Sequence, residues 1–240
     1  VPLSLKRHAT SKIRAADDLS GILTLGFRGE ALAAISAVCR ITLMSKTAAA
    51  PSGTMLTAKD GEVLEVAEVG CADGTTVTVE ELFADFPARR KFLKKDATEA
   101  QASVALVEKV ALSRPDISFR MVSDDQVKFE TPGNGNVLET LYAVLGREFA
   151  TRLLPVEGQV GGIGVSGFVG RSDNGRANRG GQNCFLNGRY VHSKTVGAAL
   201  ERAFTSYMAP EKFPVCALYL TVDPHLVDVN VHPAKLEVKF

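Results

Sequence analysis

No apolar run in this 240-residue sequence reaches the ~18–20 residues that a membrane-spanning helix requires. No basic-then-apolar leader opens the chain, and no internal repeat or low-complexity tract interrupts it. A helical membrane protein and a repeat array are therefore excluded. The four cysteines, Cys39, Cys71, Cys184 and Cys216, lie far apart and never form C-x-x-C. That argues against a structural zinc site or a redox pair and favours a reduced cytosolic compartment. Neither sign of charge dominates: 28 Lys and Arg face 27 Asp and Glu, for a net charge of +1. Bulk charge alone does not mark a nucleic-acid binder. An initiating methionine is missing too, and residues 1–19, "VPLSLKRHATSKIRAADDL", show no settled periodicity. The chain is expected to be a fragment that starts inside a longer protein.

What is present is an ordinary globular composition, 45% apolar and 23% charged, long enough for one large domain or two modest ones. "GEALAAISAV" (29–38) has helical spacing, and "RITLMSKT" (40–47) alternates as a strand does. Residues 53–70 read as a hairpin turning at Asp60-Gly61, and residues 74–83 as a further strand with Val77 and Val79 on one face. "PARRKFLKK" opens on a proline suited to the first position of a helix. The longest helical pattern, 98–115, stops at Pro115, and 117–132 reads as a second hairpin. "TPGNGN" (131–136) has the composition of a linker. A helix (137–146), two strands, a strand at 183–187 turning at Asn187-Gly188, and a helix (193–208) follow. Closing strands complete the chain. These patterns predict two α+β units joined near residue 133.

Several short stretches carry chemistry. In "GFRGEAL" (26–32) two glycines frame an arginine ahead of a helix, as in a phosphate cradle or a plain helix start. "RHATSKI" (7–13) sets the Thr10 and Ser11 hydroxyls beside Lys12, either as a cap or as anion contacts. Thr75, in "DGTTVTVEEL", is read equally well as a hairpin threonine or as a phosphate neighbour. Basic residues cluster at "ARRKFLKK" (88–95). They cluster again at 170–194, where Arg171, Arg176, Arg179, Arg189 and Lys194 face a single acid, Asp173. Such clusters are solvated faces or contacts to a phosphate backbone. Lys235, in "HPAK", follows a proline that interrupts a strand-like run, and His232 has no partner at metal-ligand spacing.

Taken in order, "RHATSKI", "LGFRGEAL", "PARRKFL", "LNGRYV" and "DVNVHPAKLEVKF" resemble the N-terminal ATPase region of the MutL family of DNA mismatch-repair proteins, over almost the whole chain. One departure stands before Pro87: Asp85 and Phe86 occupy the place where the family usually has Asn-Thr. The resemblance implies an α+β fold, the C-terminal part of a GHKL-type α/β sandwich (1–132) followed by a domain similar to ribosomal protein S5 domain 2 (133–240). That ATP fold is shared with gyrase subunits, the Hsp90 chaperone and histidine kinases.

By the same resemblance, "RHATSKI" is the ATP lid, and Thr10, Ser11 and Lys12 are phosphate contacts. The backbone of Gly26, Phe27, Arg28, Gly29, Glu30, Ala31 and Leu32 cradles the ATP phosphates, with Thr75 close by. Lys235 reaches the γ-phosphate as the catalytic cation. Arg176, Arg179, Arg189 and Lys194 are expected to touch DNA, and Lys194 stands where the family commonly has a DNA-binding basic residue. "SDNGRA" (172–177) half matches the family's adenine-reading D-x-G-x-G. It lies too far along the chain and has Ala177 in place of the second glycine, so it is read as a basic loop.

The family's general-base Glu, its Mg2+-holding Asn and its D-x-G-x-G all precede the lid. This stretch alone is therefore expected to hold no metal and to be hydrolysis-deficient. The intact protein is expected to be a cytoplasmic, nucleoid-associated bacterial ATPase. ATP would drive dimerisation of its N-terminal regions, retention of DNA, and signalling to the mismatch-recognition protein MutS and a downstream nuclease or helicase. A non-hydrolysing DNA-binding or partner-binding module is the alternative.

Overall fold

The computed structural model describes residues 1–13, 26 and 28–227. The described chain divides into two compact units, one running to Lys95 and the other from Asp96.

The first unit is built on a four-stranded antiparallel sheet, with strands β1 (Arg40–Lys46), β2 (Gly53–Lys59), β3 (Glu62–Val69) and β4 (Gly74–Glu80) in the order β3-β2-β1-β4. Alternation along each strand sends one set of side chains to one face. Ile41 pairs with Val79 and Ala58, and Leu43 with Val77 and Leu56, so two apolar rows cross the sheet. Their centre is buried: Ile41, Leu43, Leu56 and Ala58 form a core with Cys39, against which Leu5 and Leu32 pack. The helix that carries Leu32, α1 (Ala31–Ser36), thereby covers this face. Val63, Val66, Val77 and Val79, at the flanks of the same face, stay exposed. The β2–β3 turn adopts positive φ at both Asp60 and Gly61, as its sequence predicts. After β4 comes the short α2 (Pro87–Arg90), which starts on its proline.

The second unit holds a five-stranded sheet of β7 (Leu153–Val160), β8 (Ile163–Gly170), β9 (Gln182–Leu186), β10 (Arg189–Val191) and β11 (Cys216–Thr221), ordered β10-β9-β11-β8-β7. All neighbours are antiparallel except β9 and β11, whose parallel pairing is connected through α6 (Lys194–Phe204). Two cores lie on opposite faces of this sheet. One gathers Cys184, Leu186, Cys216 and Leu218 with Leu200 of α6. The other joins Phe185 and Ala217 to Leu112 and Leu141, from α3 (Asp96–Ser113) and α4 (Val137–Leu145). Phe185 stacks on Tyr219 at 4.9 Å and meets Tyr190 edge-on at 5.9 Å. The short α5 (Arg147–Ala150) leads into β7.

The junction expected at residue 132/133 is not where packing divides the chain. α3 belongs to the second unit, because its C-terminal turn is sealed against the five-stranded sheet. Ala111 and Leu112 are fully buried, and the Tyr219 hydroxyl donates to the Leu112 carbonyl at 2.8 Å. Between α3 and α4, the hairpin of β5 (Arg120–Ser123) and β6 (Gln126–Glu130) leads into the stretch with linker composition. That stretch is ordered by long-range bonds. Thr131 N–H donates to the Phe119 carbonyl at 2.8 Å, and Gly135 N–H to the Pro115 carbonyl at 2.9 Å. Asn136 then caps α4, accepting from Glu139 N–H at 3.2 Å. Pro, Gly and Asn serve here as turn and cap residues rather than as a tether.

Candidate functional site

In the first unit the segments "RHATSKI" and "GFRGEAL" lie against each other. Gly29 has φ +63°, and a Cβ there would collide with the Ala9 carbonyl. Only glycine satisfies both the left-handed backbone and this close approach. Next to that contact, His8 Nδ1 stands 3.3 Å from Glu30 Oε1. Glu30 is the N-cap of α1, yet its side chain makes no capping bond. Its carboxylate turns to His8 instead, leaving the first-turn N–H groups uncapped by it. The helix begins at Ala31, later than the Gly29 start expected from sequence, because Gly29 is left-handed.

Thr10 Oγ1 accepts a hydrogen bond from Lys12 N–H at 3.2 Å, a local turn that keeps Ser11 and Lys12 exposed. Gly26 and Arg28 are exposed. Thr75 lies at the start of β4 opposite Ser45, their hydroxyls 2.8 Å apart. Phe27 and Lys235 fall outside the described residues.

The basic residues expected to touch DNA have different local fates. Arg179 forms a two-pronged pair with Glu201 of α6, at 2.6 and 2.9 Å, and its guanidinium lies 4.4 Å from the centre of the Phe213 ring. The Glu201 carboxylate is held below its ordinary pKa by that pairing, and the Arg179 guanidinium above its own. Arg179 thus fastens the loop 171–181 onto α6. Arg189, on β10, is half-buried, and desolvation lowers its pKa. Arg176 is exposed, with its guanidinium 6.0 Å from the centre of the Phe149 ring. Lys194 is exposed at the first position of α6, after the Ser193 cap. Of the four, Arg176 and Lys194 present their charge most openly to solvent.

A part-buried polar pair escaped sequence reasoning. Lys109 reaches from α3 to the buried side-chain oxygen of Asn183 on β9, and its ammonium lies 5.5 Å from the centre of the Tyr190 ring. Burial lowers the Lys109 pKa, and burial likewise raises that of Glu108 beside it. A lysine inside a helical pattern reads as solvent-facing. The signal lay in Asn183, a polar residue in an apolar strand.

A family described as DNA mismatch repair protein, C-terminal domain, matches residues 141–240. DNA mismatch repair protein MutL of Caldanaerobacter subterraneus subsp. tengcongensis is 43% identical over 238 residues, covering 99% of this chain and 40% of that protein. The chain spans about 40% of the length of the curated relatives it matches. Among solved structures, the Aquifex aeolicus MutL ATPase domain complexed with ADP superposes with a TM-score of 0.66 at 27% identity, covering 81% of this chain and 72% of that one. The B-subunit of DNA gyrase from Myxococcus xanthus shares the fold, with a TM-score of 0.51 at 15% identity over 96% of this chain and 73% of that chain. The fold is therefore of the GHKL type expected from sequence.

Proposed function

This chain belongs to the MutL family of DNA mismatch-repair proteins, and we propose that it forms part of an ATP-driven clamp on DNA. The observation that carries this reading is the contact of residues 8–9 with Gly29 and Glu30. Two segments that the family uses around the ATP phosphates are adjacent in this chain. Phosphoryl transfer depends mainly on positioning and on neutralising charge on the phosphates. Backbone N–H groups of Gly29 to Leu32 and the Thr10, Ser11 and Lys12 segment are suited to the first task. Lys235 is assigned the second, at the γ-phosphate.

The family also calls for magnesium, held by an Asn that precedes the lid. Among the described residues, no group of three or more His, Cys, Asp or Glu is placed to hold a metal ion. The general base and the adenine-reading acid are likewise expected upstream of the lid. In this division of labour, turnover needs those groups acting together with Lys235. Phosphate release by the purified chain that falls on Lys235→Ala would sink this division of labour.

In the intact protein, ATP binding orders the lid, the N-terminal regions dimerise, and the closed dimer retains DNA while signalling to MutS and a downstream nuclease or helicase. Hydrolysis reopens it. DNA retention rests on exposed basic residues of the second unit, foremost Lys194. Duplex binding is expected to weaken as salt rises, and Lys194→Glu to weaken it further and to flatten the slope of log K against log salt. Fluorescence anisotropy between about 50 and 200 mM salt reads both. Arg179→Ala should act otherwise: with Glu201 and Phe213 losing their partner, it loosens the 171–181 loop. Binding indifferent to salt and to Lys194→Glu would remove the electrostatic account. Among the described residues, no helix is long and apolar enough to cross a membrane.

A further inference from the structure

β7 is the outermost strand of the five-stranded sheet, and among the described residues no strand pairs with its outer side. Open edges of this length template pairing with another chain, and proteins usually blunt them with charge, proline or a covering element. The hydrogen-bond direction along β7 follows from one contact. Arg171 N–H donates to the Arg152 carbonyl at 3.0 Å, so even-numbered positions face β8 and odd-numbered ones face outward. Pro155 is odd-numbered, which costs the ladder nothing and removes one outward donor. Glu157 and Gln159 retain theirs. Half of the edge is blunted, and among the described residues no strand covers the half from Glu157 to Gln159.

Beside that half lies a cavity of about 720 Å³ whose lining includes Phe168, Tyr219, Pro155 and Val137. Asp116 and Glu157 supply its two carboxylates. Asp116 is already paired with Arg114 at 2.6 Å. Glu157 forms no ion pair among the described residues, so its charge is the one left to recognise a ligand. On the opposite face of the hairpin Leu154, Val160 and Ile163 are exposed, Val160 by 82%.

We infer that the outer edge of β7 docks an extended basic segment of a partner protein. That segment would add to the sheet as a sixth strand, with a lysine or arginine beside Glu157 and apolar residues along Leu154 and Val160. Backbone pairing supplies affinity, and the alternating side chains supply specificity. A second copy of this chain is a poorer occupant, because symmetric edge-to-edge pairing would bring two Glu157 carboxylates together on one side of the ladder.

The test uses the full 240-residue chain and an acetylated, amidated decapeptide alternating Lys and Val. Saturable binding is expected by fluorescence anisotropy, with slowed amide exchange at Glu157 and Gln159. Glu157→Lys should weaken it about tenfold, a charge reversal beside one cation. Gln159→Pro, which deletes an outward donor, should weaken it at least as much. Because a variant could disturb the sheet, a peptide N-methylated at the amides facing β7 is run against the unaltered protein and should not bind. Equal binding of a Glu-Val decapeptide or of the methylated peptide would overturn the proposal. So would the absence of binding, or a self-associated chain that Gln159→Pro converts to monomer.

Discussion

Phe185→Ala lowers the unfolding free energy of the second unit by about 3–5 kcal/mol, the range for deleting a large buried aromatic side chain. Phe185 is 0% exposed near the C-terminal end of β9, packed with Leu112 of α3, Leu141 of α4 and Ala217 of β11. Its truncation removes apolar burial and leaves a void that two helices and the sheet must share. It also deletes the stacked contact with Tyr219 and the edge contact with Tyr190. Urea denaturation followed by far-UV circular dichroism measures the loss, with Phe185→Leu expected to cost clearly less. A loss under about 1 kcal/mol, the size of a typical surface or mild core change, would mean that this core is not what holds α3 to the sheet.

Gly29→Ala is the second large effect, and it acts on function. The substituted Cβ must occupy the space of the Ala9 carbonyl while the residue holds φ +63°. The left-handed conformation alone costs a non-glycine residue about 1–2 kcal/mol, and the collision adds to it by forcing residues 8–9 away. In the intact protein, nucleotide affinity is expected to fall more than about tenfold, which 1.4 kcal/mol suffices to produce. Titration with a fluorescent ATP analogue reads it. Gly26→Ala separates a steric cause from a general intolerance of substitution, since no described residue lies within 4 Å of a Cβ built at Gly26. Its melting temperature should match that of the parent. Undiminished nucleotide affinity in Gly29→Ala would dissociate the Ala9 contact from ATP binding.

Local signals in the sequence were legible wherever local physics decides the outcome. Asp60-Gly61 and Asn187-Gly188 both adopt the positive φ angles that tight hairpins demand, and each does so between strands of clear pattern. The alternation in "RITLMSKT" buries Ile41 and Leu43 on one face, because successive side chains of a strand must point oppositely. The stop before Pro115 follows from a missing N–H, a property that needs no partner far along the chain.

Elsewhere the outcome turned on residues distant in sequence. Arg179 reads as one basic residue among several, and it becomes a structural clamp only because Glu201 and Phe213 are folded against it. "TPGNGN" has linker composition but is tied to residues 115–119 by bonds that its composition does not announce. Lys109 sits in a helical pattern like any solvent-facing lysine, until Asn183, 74 residues later, takes its ammonium.

The sequence by itself determined the family, the hairpin turns, the helix stop before Pro115 and the faces of the strands, because each depends on residue types a few positions apart. Only the tertiary structure decided which unit claims α3, which cations remain open to solvent, and why Gly29 must be glycine. Those answers depend on which surfaces meet, and pairing residues across tens of positions is set by the burial of whole faces rather than by any local preference.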